Sequence, residues 1–154
     1  KRTAAQRIAR LAAERGEEAG ARSLLDDVPR AEPALMQAQD ISRKAIASGF
    51  AWKDRAEVVS QLESELSELE AAQTDVEREE EAGDVLFTAV NLVRYEGVDA
   101  EQALKGTCEK FRRRWSIMES HAAAENTSLD QLPRERLEEL WREAKDEIAA
   151  QGNL

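Results

Sequence analysis

The sequence predicts an all-α fold, an antiparallel bundle of four core helices with an extra N-terminal helix. Three observations carry that expectation. Prolines are few, and none lies between Pro33 and Pro133. β-branched residues are sparse and nowhere alternate over the length of a strand. Apolar residues instead recur at helical spacing. Val58, Val59, Leu62, Leu66 and Leu69 share one face, as do Leu104, Cys108, Phe111, Trp115 and Met118, and as do Leu137, Leu140, Trp141, Ala144 and Ile148. Short connections between such helices suit a bundle.

Each element has its own signals. Residues 2–19 read as a polar, Ala/Arg/Glu-rich helix with a thin apolar stripe, Ile8, Leu11 and Ala12. A linker marked by Gly20, Asp26, Asp27, Pro29 and Pro33 follows. Residues 1–23 are therefore expected to be the tail of a preceding region, and 24–154 the domain proper. Lys at position 1 fits a piece of a longer or processed chain. The first core helix is expected from about Pro33 to Ser48, stopped at Gly49. The second begins after Asp54, a suitable N-cap, and runs to about Gln73. Thr74 with Glu77 has capping-box spacing and starts the third, which ends near Gly97. Asp99 caps a helix reaching about residue 122, Asn126–Pro133 forms a loop or short turn, and the last helix covers about Arg134–Ala150.

Composition narrows the function. The chain has 154 residues, with 35% charged, 42% apolar and a formal net charge of −10. That balance is too apolar for wholesale disorder and too charged for a membrane protein. No apolar stretch approaches the roughly 20 residues of a membrane span, and no basic, apolar leader is visible. The acid excess argues against nucleic acid and anionic lipid as partners. It does not exclude phosphorylated small molecules held through a divalent cation. Cys108 is the only cysteine, so no internal disulfide is possible and a reducing cytoplasm is the expected compartment.

The chemistry concentrates in the second and third core helices, each carrying carboxylates at i, i+3: Glu65 with Glu68, and Glu81 with Asp84. Such pairs lie one turn apart on one side of a helix. Glu68 and Glu81 are equidistant from the Thr74–Asp75 turn, as are Glu65 and Asp84. A symmetric hairpin would set them level. On the third helix, Ala82, Val85, Leu86, Phe87, Ala89, Val90, Leu92 and Val93 cover most of the circumference. The gap holds Glu81, Asp84, Thr88 and Asn91. A polar stripe this narrow is unusual for a helix face that only meets water. Four carboxylates brought together repel and raise one another's pKa, and a hard cation relieves the conflict. All-oxygen ligands favour Mg²⁺ or Mn²⁺. A di-iron carboxylate bundle needs Glu-x-x-His on two helices, but the single histidine, His121, follows Met118 at that spacing. Neither GxxxxGK[ST] nor GxGxxG occurs, so the usual phosphate loops are absent.

These residues resemble the MazG family of nucleoside triphosphate pyrophosphohydrolases, within the all-α NTP pyrophosphatase superfamily. The family's EExxE and ExxD motifs read here as Ser64-Glu65-Leu66-Ser67-Glu68 and Glu81-Ala82-Gly83-Asp84. The run Glu79–Phe87 followed by Asn91-Leu92 is similar to the family's EEExGDLLF…NL block. Pro33–Gln39, Gly49–Trp52, Lys110–Arg114 and Leu140–Lys145 resemble further blocks, and the likeness spans about residues 24–148. It is nearest to the second of two tandem domains. Ser64 departs from the first motif. That bears on the level of activity and the number of metals rather than on the fold.

The resemblance implies cleavage of NTPs and dNTPs between the α- and β-phosphates, giving NMP and pyrophosphate in nucleotide-pool housecleaning. Glu65, Glu68, Glu81 and Asp84 would be the catalytic and metal-binding residues, with Mg²⁺ or Mn²⁺ as cofactor. Asn91, Lys110, Arg114, Trp141, Lys145 and Lys44 would contact substrate, Trp141 stacking on a base and the cations meeting phosphates. Lys44 and Trp52 are the weaker candidates. A homodimer or higher homo-oligomer is expected. The competing reading is a weakened or inactive helical module serving oligomerisation or protein interaction, which Ser64 would permit. Phosphoribosyl-ATP pyrophosphohydrolases and dimeric dUTPases share the superfamily, but the MazG-type blocks disfavour them.

Overall fold

The computed structural model describes residues 23–152. The helix expected over residues 2–19 lies outside them. Five α-helices and one 3₁₀ turn make up the regular structure of the described residues, with no strand among them. They are α1 (Ala34–Ala47), α2 (Arg55–Ala71), α3 (Asp75–Tyr95), α4 (Ala100–Ala124), the turn Leu129–Gln131 and α5 (Arg134–Gln151). The described residues divide into two compact units, 23–100 and 101–152.

In the first unit, local chemistry sets the helix ends. α1 follows Pro33, whose fixed φ suits a helix entry, and stops where Gly49 takes a φ of +92°. Only glycine adopts such a φ without strain. Asp54 caps α2, its carboxylate accepting from the Glu57 N–H at 2.9 Å. The capping box of α3 is complete. Thr74 Oγ1 accepts from the Glu77 N–H at 3.2 Å, and the Glu77 carboxylate accepts from the Thr74 N–H at 3.1 Å. α3 is the centre of the unit and packs against both α1 and α2. Gln39 on α1 ties in the chain beyond α3, accepting from the Ala100 N–H at 2.7 Å.

The interior of this unit is unusually polar. Val58 and Val90 are buried, but so are Gln39, Ser42, Glu65, Thr88 and Asn91. The narrow polar stripe of α3 therefore faces inward over Thr88 and Asn91, while Leu86 is 63% exposed. That inversion of ordinary amphipathicity is the structural counterpart of the sequence pattern. Leu66, expected in the apolar stripe of α2, is also exposed.

The second unit gathers its core at one end. Met118 and Ala122 of α4 pack with Leu129 of the 3₁₀ turn and with Leu140 and Ala144 of α5. Leu137 and Trp141 border this core, as expected of the α5 stripe. The α4 stripe needs a correction. Of Leu104, Cys108, Phe111, Trp115 and Met118, only Met118 is buried. Leu104, Phe111 and Trp115 are 50%, 51% and 41% exposed, although Phe111 still meets Trp141 of α5. Cys108 is accordingly an exposed thiol rather than a core residue.

His121 joins the two helices of this unit. Its Nδ1 lies 3.1 Å from Glu143 and its Nε2 3.2 Å from Glu147. Arg136 donates to Glu139 at 3.0 Å, to Glu143 at 3.1 Å, and to Glu125.

Candidate functional site

The α2–α3 hairpin brings Glu65, Glu68 and Glu81 together, one carboxylate oxygen from each lying within 4.8 Å of the others. The site is graded in burial: Glu65 is buried, Glu81 half-buried and Glu68 exposed. Among the described residues, no other set of His, Cys, Asp or Glu converges in this way. Asp84 stands outside the trio and is exposed. It is still close enough for its charge to act on Glu81. Ser64 is exposed as well, and the three carboxylates meet without a contribution from that position.

The electrostatics single out Glu81. Burial, then the charges of Glu68, Asp84, Glu65 and Glu80, push its carboxyl above the usual range. Its Oε2 is buried without a hydrogen-bond partner among the described residues. Buried carboxylate oxygens ordinarily have partners, so this one marks a place for a donor or a cation. Glu65 is partly satisfied, accepting from Gln61 Nε2 one turn earlier on α2. An all-carboxylate set with an orphaned oxygen fits a hard, oxygen-seeking divalent cation.

Beside the carboxylates lies a cavity of about 500 Å³, enclosed by α1, α2, α3 and the loop joining α1 to α2. Its apolar wall includes Phe50, Trp52 and Phe87, and its polar lining includes Ser42, Gln61, Glu65, Thr88 and Asn91. A cavity of that size suits a ligand of nucleotide dimensions, and apolar walls with a few polar groups are usual for small-molecule sites. Glu65 belongs both to the cavity and to the carboxylate trio. Asn91, a sequence candidate, is 1% exposed, and its Nδ2 has no partner among the described residues. Lys44 instead pairs with Asp27 at 3.6 Å. Sequence patterns do not single out Phe50, Ser42, Gln61 or Phe87 for this cavity, whereas Thr88 belongs to the polar stripe of α3 that they do reveal. Ser42 and Gln61 carry no spacing signature, and Phe50 sits in a loop without periodicity.

On the second unit, the Arg114 guanidinium lies 5.1 Å from the Trp141 ring centroid, a cation–π contact. Phe111 meets the same indole, tilted, at 5.1 Å, and stacks on Trp115 at 5.9 Å. Arg114 Nε is buried without a partner among the described residues. Lys110 and Lys145 are exposed. The indole of Trp141 is thus in contact with both Arg114 and Phe111.

Comparison with known proteins agrees with this geometry. Residues 55–116 match the MazG nucleotide pyrophosphohydrolase domain. The chain is 41% identical over 128 residues to the nucleoside triphosphate pyrophosphohydrolase of Escherichia coli K12, covering 80% of this chain and 49% of that protein. It is 43% identical over 113 residues to the nucleoside triphosphate pyrophosphohydrolase/pyrophosphatase MazG of Thermotoga maritima, covering 73% and 44%. An uncharacterised Bacillus subtilis protein, YabN, is 37% identical over 128 residues, 26% of its length. The chain spans about half the length, or less, of the curated relatives it matches.

Proposed function

We propose, from the premise that this chain carries a MazG-family nucleotide pyrophosphohydrolase domain, that it is a Mg²⁺-dependent enzyme of nucleotide-pool housecleaning. It hydrolyses the α–β phosphoanhydride bond of NTPs and dNTPs to NMP and pyrophosphate, and works in the cytoplasm. The observation that carries this reading is the meeting of Glu65, Glu68 and Glu81 within 4.8 Å at the side of a cavity large enough for a nucleoside.

Glu65, Glu68 and Glu81 would hold the cation, with Asp84 completing the set. Mg²⁺ bound there would lower the pKa of a water ligand and polarise a phosphoryl oxygen. The remaining roles fall to the chain's own side chains. Gln61 steadies the Glu65 carboxylate. Phe50, Trp52 and Phe87 flank the nucleoside and keep water from it, while Thr88 and Asn91 meet its polar atoms. The acidic hairpin repels a bare polyphosphate, so selection for the metal-complexed substrate is built into the charge of the site.

Arg114 is assigned to phosphate, its Nε being buried without a partner among the described residues. Lys110 and Lys145 are assigned as further cationic contacts. Trp141 orients Arg114 through their cation–π contact. Lys44 keeps a minor role in substrate attraction. Exposed apolar side chains support homo-oligomerisation: Leu66, Val76 and Leu86 on the hairpin, and Leu104, Phe111 and Trp115 along α4. No helix among the described residues is long and apolar enough to cross a membrane.

Incubation with each NTP and dNTP, with Mg²⁺ or with EDTA, tests the reading. NMP and pyrophosphate are expected with Mg²⁺ only. NDP and orthophosphate would place cleavage at the wrong bond.

A further inference from the structure

The donor and acceptor accounting around Asn91 leads beyond the carboxylates. Arg94 Nε donates to Ser42 Oγ at 3.0 Å, and Ser42 Oγ donates to Asn91 Oδ1. Arginine has no acceptor, so the first of these bonds has a fixed direction. Ser42 is 3% exposed. If its hydroxyl accepted from both neighbours, its own proton would be buried without a partner. Its proton therefore goes to Asn91, and Asn91 must present its carbonyl oxygen to Ser42. The amide nitrogen is left with two protons and no acceptor among the described residues. Ser42 and Asn91 both line the cavity, and Asn91 is 1% exposed.

We infer that Ser42 and Arg94 are positioning residues: they lock the Asn91 amide with its nitrogen free to donate to an acceptor atom on the nucleoside part of the substrate. This rests on the pyrophosphohydrolase reading and adds a specificity element to it. A buried donor left unsatisfied is costly. A ligand that supplies an oxygen or ring nitrogen there recovers that cost, and one that supplies a donor meets a second donor. Without Ser42 the amide can turn over, offering its oxygen and losing the discrimination. Arg94 acts from outside, since it does not line the cavity.

The test compares the wild-type chain with Ser42→Ala, Ser42→Thr and Arg94→Met. KM and kcat are read for ATP, GTP, CTP and UTP with Mg²⁺, and calorimetry gives Kd for the matching nucleoside monophosphates. Ser42→Ala is expected to raise KM and the monophosphate Kd roughly tenfold, with kcat within about twofold. Ser42→Thr, which keeps the hydroxyl, should restore both. Arg94→Met should raise KM roughly threefold, and with Ser42→Thr it carries the test if Ser42→Ala does not fold. Unchanged KM and Kd in Ser42→Ala, or in Arg94→Met where that variant stands in, overturns the inference alone. So does a joint fall of kcat and Tm that Ser42→Thr fails to rescue. A wild-type chain that neither binds nor hydrolyses nucleotide overturns the functional reading and this inference with it.

Discussion

Glu81 is held in surroundings that oppose its own charge. Burial and four neighbouring carboxylates raise its pKa, and one of its oxygens has no partner among the described residues. A group whose pKa is raised on folding contributes stability that is full below its unfolded value and is lost as pH rises through the folded value. In EDTA, the wild-type Tm is therefore expected to rise as pH falls from neutrality towards the carboxylate range. Glu81→Gln should melt higher than wild type at neutral pH, and it should lose most of the Tm increase that Mn²⁺ gives. Thermal melts with and without the ion check both. A Glu81→Gln variant that keeps the full Mn²⁺ shift would remove Glu81 from the ligand set. At this scale the sequence was informative wherever residues act through regular spacing. Glu65, Glu68 and Glu81 follow from i, i+3 periodicity mirrored about a turn. Ser42 does not, because its meaning arises from Asn91 and Arg94, about fifty residues further along the chain.

At the scale of the element, α3 holds the account together. Its capping box fixes where the helix starts, and so which residues face α1 and α2. Thr74→Ala should cost about 1 kcal/mol, or a few degrees of Tm, in a thermal melt. The Glu77 side of the same box has a pH signature. Hydrogen bonds from the Gln73 and Thr74 N–H groups hold its carboxyl below the usual range. Its stabilisation is present above the unfolded pKa and is lost as pH falls through the depressed one. Glu77→Gln should therefore flatten the acid limb of the melting profile, the opposite sign from Glu81→Gln. The ends of all five described helices fall within two residues of the sequence reading, because caps, prolines and the Gly49 turn are local signals. The burial of α4 was not legible in the same way. Helical spacing identifies an apolar stripe, but which turns of that stripe are covered depends on where the following chain closes.

At the scale of the whole molecule, the all-α class and the order of helices were readable from periodicity and from the absence of strand patterns. The 500 Å³ cavity was not, since its walls come from three helices and an aperiodic loop. The exposed stripe Leu104, Cys108, Phe111 and Trp115 on α4 belongs to this scale, because a single copy leaves it uncovered. Sedimentation should show a wild-type dimer or larger species, and Leu104→Glu combined with Phe111→Glu should shift it towards monomer. An unchanged sedimentation coefficient would place association elsewhere.

The central claim is that the hairpin carboxylates serve α–β phosphoanhydride hydrolysis. Its most direct test is pyrophosphate release from NTPs, measured side by side for wild type, Glu68→Ala, Asp84→Ala and Ser64→Glu, in Mg²⁺ and in EDTA. The expected result is Mg²⁺-dependent release by wild type that falls at least tenfold in Glu68→Ala and Asp84→Ala, with Ser64→Glu active at or above the wild-type level. Release that survives EDTA or both alanine substitutions would contradict the claim, as would a wild-type chain that stays silent together with Ser64→Glu.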